Sequence, residues 1–195
     1  MPIGFWLLSS IMFLTTFTQK AFAHPHIWVY TDVGVIVHQN NITGFNVTWN
    51  FDELYSAAFM QDADTNKNMQ LEPVEAEETI QKVFIENPAN LFPFIHIKLN
   101  GKDKKYQFKK PTIKMGEDET LYYTFSIILD EPTPITGAHE FGFFDPEFYV
   151  SFEQSYTLDL PQPSKCEYNL KENKNIFIYD GLVNPETYTL NCKGA

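Results

Sequence analysis

No arginine occurs anywhere in the 195 residues, so the side-chain cations apart from histidine are 14 lysines. Against them stand 25 Asp and Glu residues, giving a net charge of -11. A chain with this balance is repelled by phosphate backbones and by anionic lipid surfaces, which excludes nucleic acid as a partner. Cysteine is scarce: Cys166 and Cys192 are the only two, both lie late in the chain, and no C-x-x-C pair exists. That makes a Cys-based metal site the weaker alternative to a disulfide. There is also no glycine-rich nucleotide loop, no G-x-S-x-G elbow, no H-E-x-x-H helix and no Cys nucleophile. With no catalytic constellation in view, the expectation is a protein that is not an enzyme. Long apolar runs are missing too. The stretch from Pro2 to Phe17 is uncharged and apolar, but it falls short of the ~20 residues that span a bilayer.

That stretch is followed by Lys20 and then by Ala21-Phe22-Ala23. An apolar core followed by A-x-A is the pattern that signal peptidase reads, so residues 1–23 are expected to be a signal peptide removed after Ala23. The processed chain has 172 residues (195 minus 23) and a charge of -12, because Lys20 is the only charged side chain lost. That length suits one domain, 24–195, with no insertion into the membrane after processing. In the oxidising compartment that follows export, Cys166 and Cys192 most simply form one disulfide. It closes a loop of 26 steps (192 minus 166), worth roughly 3 kcal/mol by loop entropy.

The processed chain reads as mainly β. Ile27 to Val37 alternates and is rich in β-branched residues, Asn40-Asn41 marks a turn, and Ile42 to Phe51 alternates again, which predicts a hairpin. Asp52 is placed to cap a helix through Leu54, Tyr55, Ala58 and Phe59. A polar stretch breaks that helix, and a second starts near Pro73, runs through Phe84 and is disrupted at Asn87-Pro88. Strands are then expected at Ile95–Leu99, Tyr106–Phe108, Ile113–Met115, Leu121–Leu129, Glu140–Phe144, Phe148–Phe152 and Ile176–Tyr179. Asn100-Gly101 is a strong hairpin turn. The fold expected is an antiparallel, sandwich-like β domain carrying a helix–loop–helix insertion at about 52–88.

Two segments carry metal chemistry. At the new terminus, His24 offers a ring nitrogen and a free amine, and His26 adds a second imidazole. Imidazole and amine nitrogens suit Zn, Ni, Co and Cu. Pro25 has no N–H and so cannot give the deprotonated amide of a square-planar N-terminal copper or nickel site. In the second segment, Asp64, Asn66, Asn68 and Glu75 fall at places one, three, five and twelve of an EF-hand loop, with the Gln70 carbonyl at place seven. Met69 stands where that loop takes Gly, and only two of these ligands are carboxylates, so weak calcium binding or none is expected. His38, His96 and His139 stand alone.

With Ala21-x-Ala23 before His24-Pro25-His26-x-Trp28, then Trp49-x-Phe51-Asp52-Glu53-x-Tyr55-Ser56, the Asp64–Glu75 loop and Asp145-Pro146-x-Phe148-Tyr149-Val150, the chain resembles the domain-of-unknown-function family numbered one thousand and seven. Met69 departs from the glycine usual in that family's loop. The resemblance implies the periplasmic component of an uncharacterised ABC-type transport system, one whose members often accompany nickel/cobalt exporters. On it rest a periplasmic location and a membrane metal transporter as partner. Asp52 and Asp145, each in a shared motif where a strand gives way to a helix or turn, are the candidates to complete a metal site with His24 and His26, as ligands or by orienting a histidine. The function expected is therefore a transition-metal-binding accessory protein. A copper metalloenzyme with an N-terminal histidine chelate, or a metal-free envelope domain that binds another protein, are the alternatives. Mass spectrometry of the exported protein is expected to find His24 as its first residue; any other start would take the free amine away from the proposed chelate.

Overall fold

In a computed structural model, residues 25–161 and 165–193 are described. The expected signal peptide and His24 lie outside the described residues. The chain runs β1 (Ile27–His38), β2 (Asn41–Phe51), α1 (Glu53–Ala63), α2 (Pro73–Ile80), a π-helical turn (Gln81–Glu86), two 3-10 turns (Pro88–Asn90 and Phe92–Phe94), then β3 (Ile95–Leu99), β4 (Lys102–Asp103), β5 (Tyr106–Met115), β6 (Leu121–Pro134), β7 (Gly137–Phe143), β8 (Val150–Asp159), β9 (Cys166–Glu172) and β10 (Glu186–Cys192). The strands form two five-stranded sheets, ordered β5-β6-β2-β1-β8 and β4-β3-β7-β10-β9. All pairings are antiparallel except one: β8 lies parallel to β1, with Ile27 opposite Val150 and Val29 opposite Phe152. Among the described residues no helix is long and apolar enough to cross a membrane.

The mainly β, two-sheet expectation is met, and its cause is the alternation. Val29, Thr31, Val33 and Val35 of β1 and Phe45, Val47 and Trp49 of β2 are buried, while Trp28, Tyr30 and their even-numbered neighbours face out. Rings from the two sheets meet in the middle: Phe45 lies 4.7 Å from Phe141 of β7, and Trp49 packs edge-on to Phe143 at 5.8 Å. Burying side chains of this size stabilises by about 1.5–3 kcal/mol each. At Gly44 the strands β2 and β6 come so close that a Cβ would sit 2.2 Å from the Ile127 carbonyl. This position excludes every other residue.

Several local expectations shift. The β1–β2 turn is Gln39-Asn40, both at positive φ, because Asn41 already pairs with His38. The two short strands predicted at 106–115 are one strand, β5, which carries an irregularity between Lys109 and Thr112 with Lys110 at positive φ. Phe148, placed in a strand by its sequence, lies in a turn at φ 55, and β8 begins at Val150. Ile176–Tyr179 is not a strand: Tyr179 and Asp180 have positive φ, and one isolated bridge joins Ile178 to Val183. The order in the tail comes from β9 and β10 instead. Cys166 and Cys192 stand directly opposite one another there, and the expected disulfide joins them.

His139 of β7 is 2% exposed. Its Nε2 donates to the Ile135 carbonyl at 2.8 Å, while Nδ1 is buried without a partner. Desolvation holds its pKa below the ordinary 6.5, Lys104 adding to the effect and the Ile135 bond opposing it. A depressed histidine is neutral when folded and takes up a proton when unfolded, so its contribution is complete above the unfolded pKa and is lost as pH falls toward the folded one. Chemical denaturation is expected to give decreasing stability as pH falls from about 7 to about 5. That part of the slope should vanish in His139→Leu; an unchanged slope would assign it to other groups.

Candidate metal centre

Three of the sequence motifs meet where β1 begins. Asp52 caps α1, its Oδ1 accepting the Tyr55 N–H at 3.0 Å. Its Oδ2 accepts the Trp28 N–H at 2.8 Å, and its own N–H donates to the Trp28 carbonyl. From the other side, Asp145 sits 5% exposed within the turn before β8. Its Oδ1 accepts the Glu147 N–H, and its Oδ2 accepts the N–H groups of Tyr149 and Val150, each at 3.0 Å. The turn so fixed presents the Tyr149 carbonyl, which accepts the His26 N–H at 2.9 Å and the Ile27 N–H at 3.3 Å. The rings of His26 and Tyr149 lie 4.7 Å apart. Backbone N–H groups cannot go unpaired, and these two carboxylates supply acceptors where the ladders of β1 and β8 have run out.

His26, Asp52 and Asp145 are therefore brought to one corner. The two aspartates act there through the backbone: every carboxylate oxygen already holds at least one N–H, and Asp145 holds three. Among the described residues no group of three His, Cys, Asp or Glu side chains is disposed to hold a metal ion. His26 is exposed and lies between Pro25 and the start of β1. Of the donors foreseen for a nitrogen site, the described part supplies the His26 imidazole together with a rigid seat for it. That donor set fits a transition metal only when the ring and amine of His24 are added.

The Asp64–Glu75 loop lies at the far end of α1, roughly 16 Å along the helix axis, so it does not join that corner. Asp64 accepts the N–H groups of Asn68 at 3.1 Å and Met69 at 2.7 Å, and the Asn68 side-chain oxygen accepts the Gln70 N–H. Glu75, 2% exposed, accepts from the Thr65 N–H and hydroxyl and from the Glu72 N–H. These bonds, the Glu72 one foremost, hold its carboxyl below the usual range. Sequence reasoning passed over Glu72, at the ninth place, whose carboxylate accepts the side-chain amides of both Asn66 and Asn68. Its signal was the ninth position itself. Met69 takes the positive φ of 63° that glycine would otherwise take.

A family model described as "Protein of unknown function (DUF1007)" matches residues 9–177. An uncharacterized protein of Haemophilus influenzae is 26% identical over 135 residues, covering 66% of this chain and 62% of the relative. The chain thus spans about six tenths of the length of the curated relative it matches. No solved structure matches it.

Removing Asp145 leaves three backbone N–H groups without their acceptor. Asp145→Ala is expected to lower stability by about 3 kcal/mol, read as a fall in Tm of about 6–12 °C. Hydrogen exchange at His26 and Ile27 should accelerate with it. Unchanged exchange at those two amides would mean that Asp145 does not hold the start of β1.

Proposed function

This chain belongs to the DUF1007 family of proteins of unknown function, and from its own residues we propose that it is an exported, periplasmic transition-metal-binding protein that serves a membrane metal transporter. The metal is a Zn, Ni, Co or Cu ion, held by the ring and free amine of His24 and by the ring of His26. One observation supports this reading above the others: the segment that begins at His26 is tied down on one side by the Asp52 carboxylate and on the other by the Tyr149 carbonyl, which the turn held by Asp145 presents. Chain termini usually fray, and an unpinned pair of histidines would pay the full entropy of ordering when it chelates. Here Asp52 and Asp145 keep the start of the chelate ordered, a positioning role through the backbone rather than a ligand role. Three nitrogen donors leave one tetrahedral position for water or for a donor from the transporter, which suits a site that must pass its ion on. The acidic surface raises the local concentration of cations. In the same reading the Asp64–Glu75 loop takes calcium weakly or not at all and closes through its own donors.

The test uses protein processed to His24 and titrated with Zn2+, Ni2+, Co2+ and Cu2+. His24→Ala, His26→Ala and a form with one extra residue before His24 are each expected to bind roughly tenfold or more weakly than the parent. The extension keeps both rings and removes only the terminal chelate. Equal affinity in all three would place the function elsewhere.

A further inference from the structure

Beyond residue 24 the chain holds three methionines, Met60, Met69 and Met115, separated by 9 and 46 positions. All three line one cleft of about 590 Å³ between α1, the 64–72 loop and the turn that joins β5 to β6. Two hydrogen-bonded devices bring them there. Asp64 holds the first pair: its N–H donates to the Met60 carbonyl at 3.0 Å, and its Oδ2 accepts the Met69 N–H at 2.7 Å. The third is brought in by Ser56, 0% exposed, whose hydroxyl accepts the Leu121 N–H at 2.9 Å. Leu121 is the cross-strand partner of Met115, and Met60 follows Ser56 by four residues, on the same face of α1.

Packing does not account for Met69. It is 89% exposed, so its thioether covers no core, and it occupies a left-handed backbone position that costs a residue with a Cβ about 1 kcal/mol relative to Gly. What the position gains is a third methionine lining the cleft that Met60 and Met115 also line. Thioethers are neutral, polarizable ligands that select Cu(I) over the harder divalent ions. A methionine side chain has three rotatable bonds with which to converge on such an ion. We propose that Met60, Met69 and Met115 form a three-thioether site for a soft monovalent cation, Cu(I), separate from the nitrogen donors at the N-terminus.

The experiment adds Ag(I), a redox-inert stand-in for Cu(I), to the full chain and follows the methionine ε-methyl resonances by NMR. The signals of Met60, Met69 and Met115 are expected to shift together and to saturate at one equivalent. They should do so equally in His26→Ala, whose altered ring lies at the opposite end of α1. Competition against a Cu(I) chelator under reducing conditions should give affinities lower by roughly tenfold or more for each single Met→Leu variant, changes that conserve core volume. Met69→Gly keeps the fold testable by a second route: it relieves the backbone cost, so its Tm should rise while Cu(I) binding falls. Methyl signals that do not move with Ag(I), or a triple Met→Leu protein that holds Cu(I) as tightly as the parent, would overturn the proposal.

Discussion

Five residues, Asp52 to Ser56, fix how the first turn of α1 is held against the sheet. Where β2 stops pairing, the N–H of Trp28 would face an empty place in the ladder, and the Asp52 carboxylate takes it while capping the helix. One turn on, the buried Ser56 hydroxyl takes the N–H of Leu121, which opens β6. The constraint behind both is that a backbone donor left over where a strand ladder starts or stops is met by an acceptor. Because a single turn meets two such demands, the direction of α1 is fixed against the first sheet at two points. The histidine corner stands at one end of the helix and the methionine cleft at the other.

The two ends differ in chemistry. In the function proposed above, the nitrogen donors of His24 and His26 would favour divalent first-row ions and release protons on binding. Sulfur donors at the far end are neutral at all ordinary pH and favour a monovalent ion. Neither relies on the acidic surface for ligands, which leaves that charge to act as a diffuse field for cations. The carboxylates that do reach these regions, Asp52, Asp64 and Asp145, hold backbone N–H groups and so set positions.

Much of this was legible in the residues. Alternation located β1, β2 and β6, and the Asp52 cap located α1, because a half-buried strand and a capped helix each leave a periodic local record. Strand partners leave none, so the parallel docking of β8 on β1 could not be read. Strand β9, with the sequence CEYNLKE, buries chiefly Leu170 and looks like a loop; its order comes from β10 and the disulfide. Ile176–Tyr179 errs the other way, its apolar residues serving a tight loop with left-handed backbone. At the site, Asp52 and Asp145 stood out in their motifs, but the backbone N–H groups that each holds leave no record in one dimension. The methionines carried no pattern at all, since only the fold makes them neighbours.

The pairing of β1 with β8 has a consequence for the order of assembly. Ile27 and Val150 lie 123 positions apart (150 minus 27), and contacts of that separation are among the last and slowest to form in a folding chain. The start of β1 is thus held by residues made more than a hundred positions later. Until the segment around Asp145 has been made, the His26 and Ile27 N–H groups lack the Tyr149 carbonyl that accepts them. A chain truncated before residue 145 would lack the Tyr149 carbonyl that holds the His26 and Ile27 N–H groups, so the start of β1 would lose that anchor.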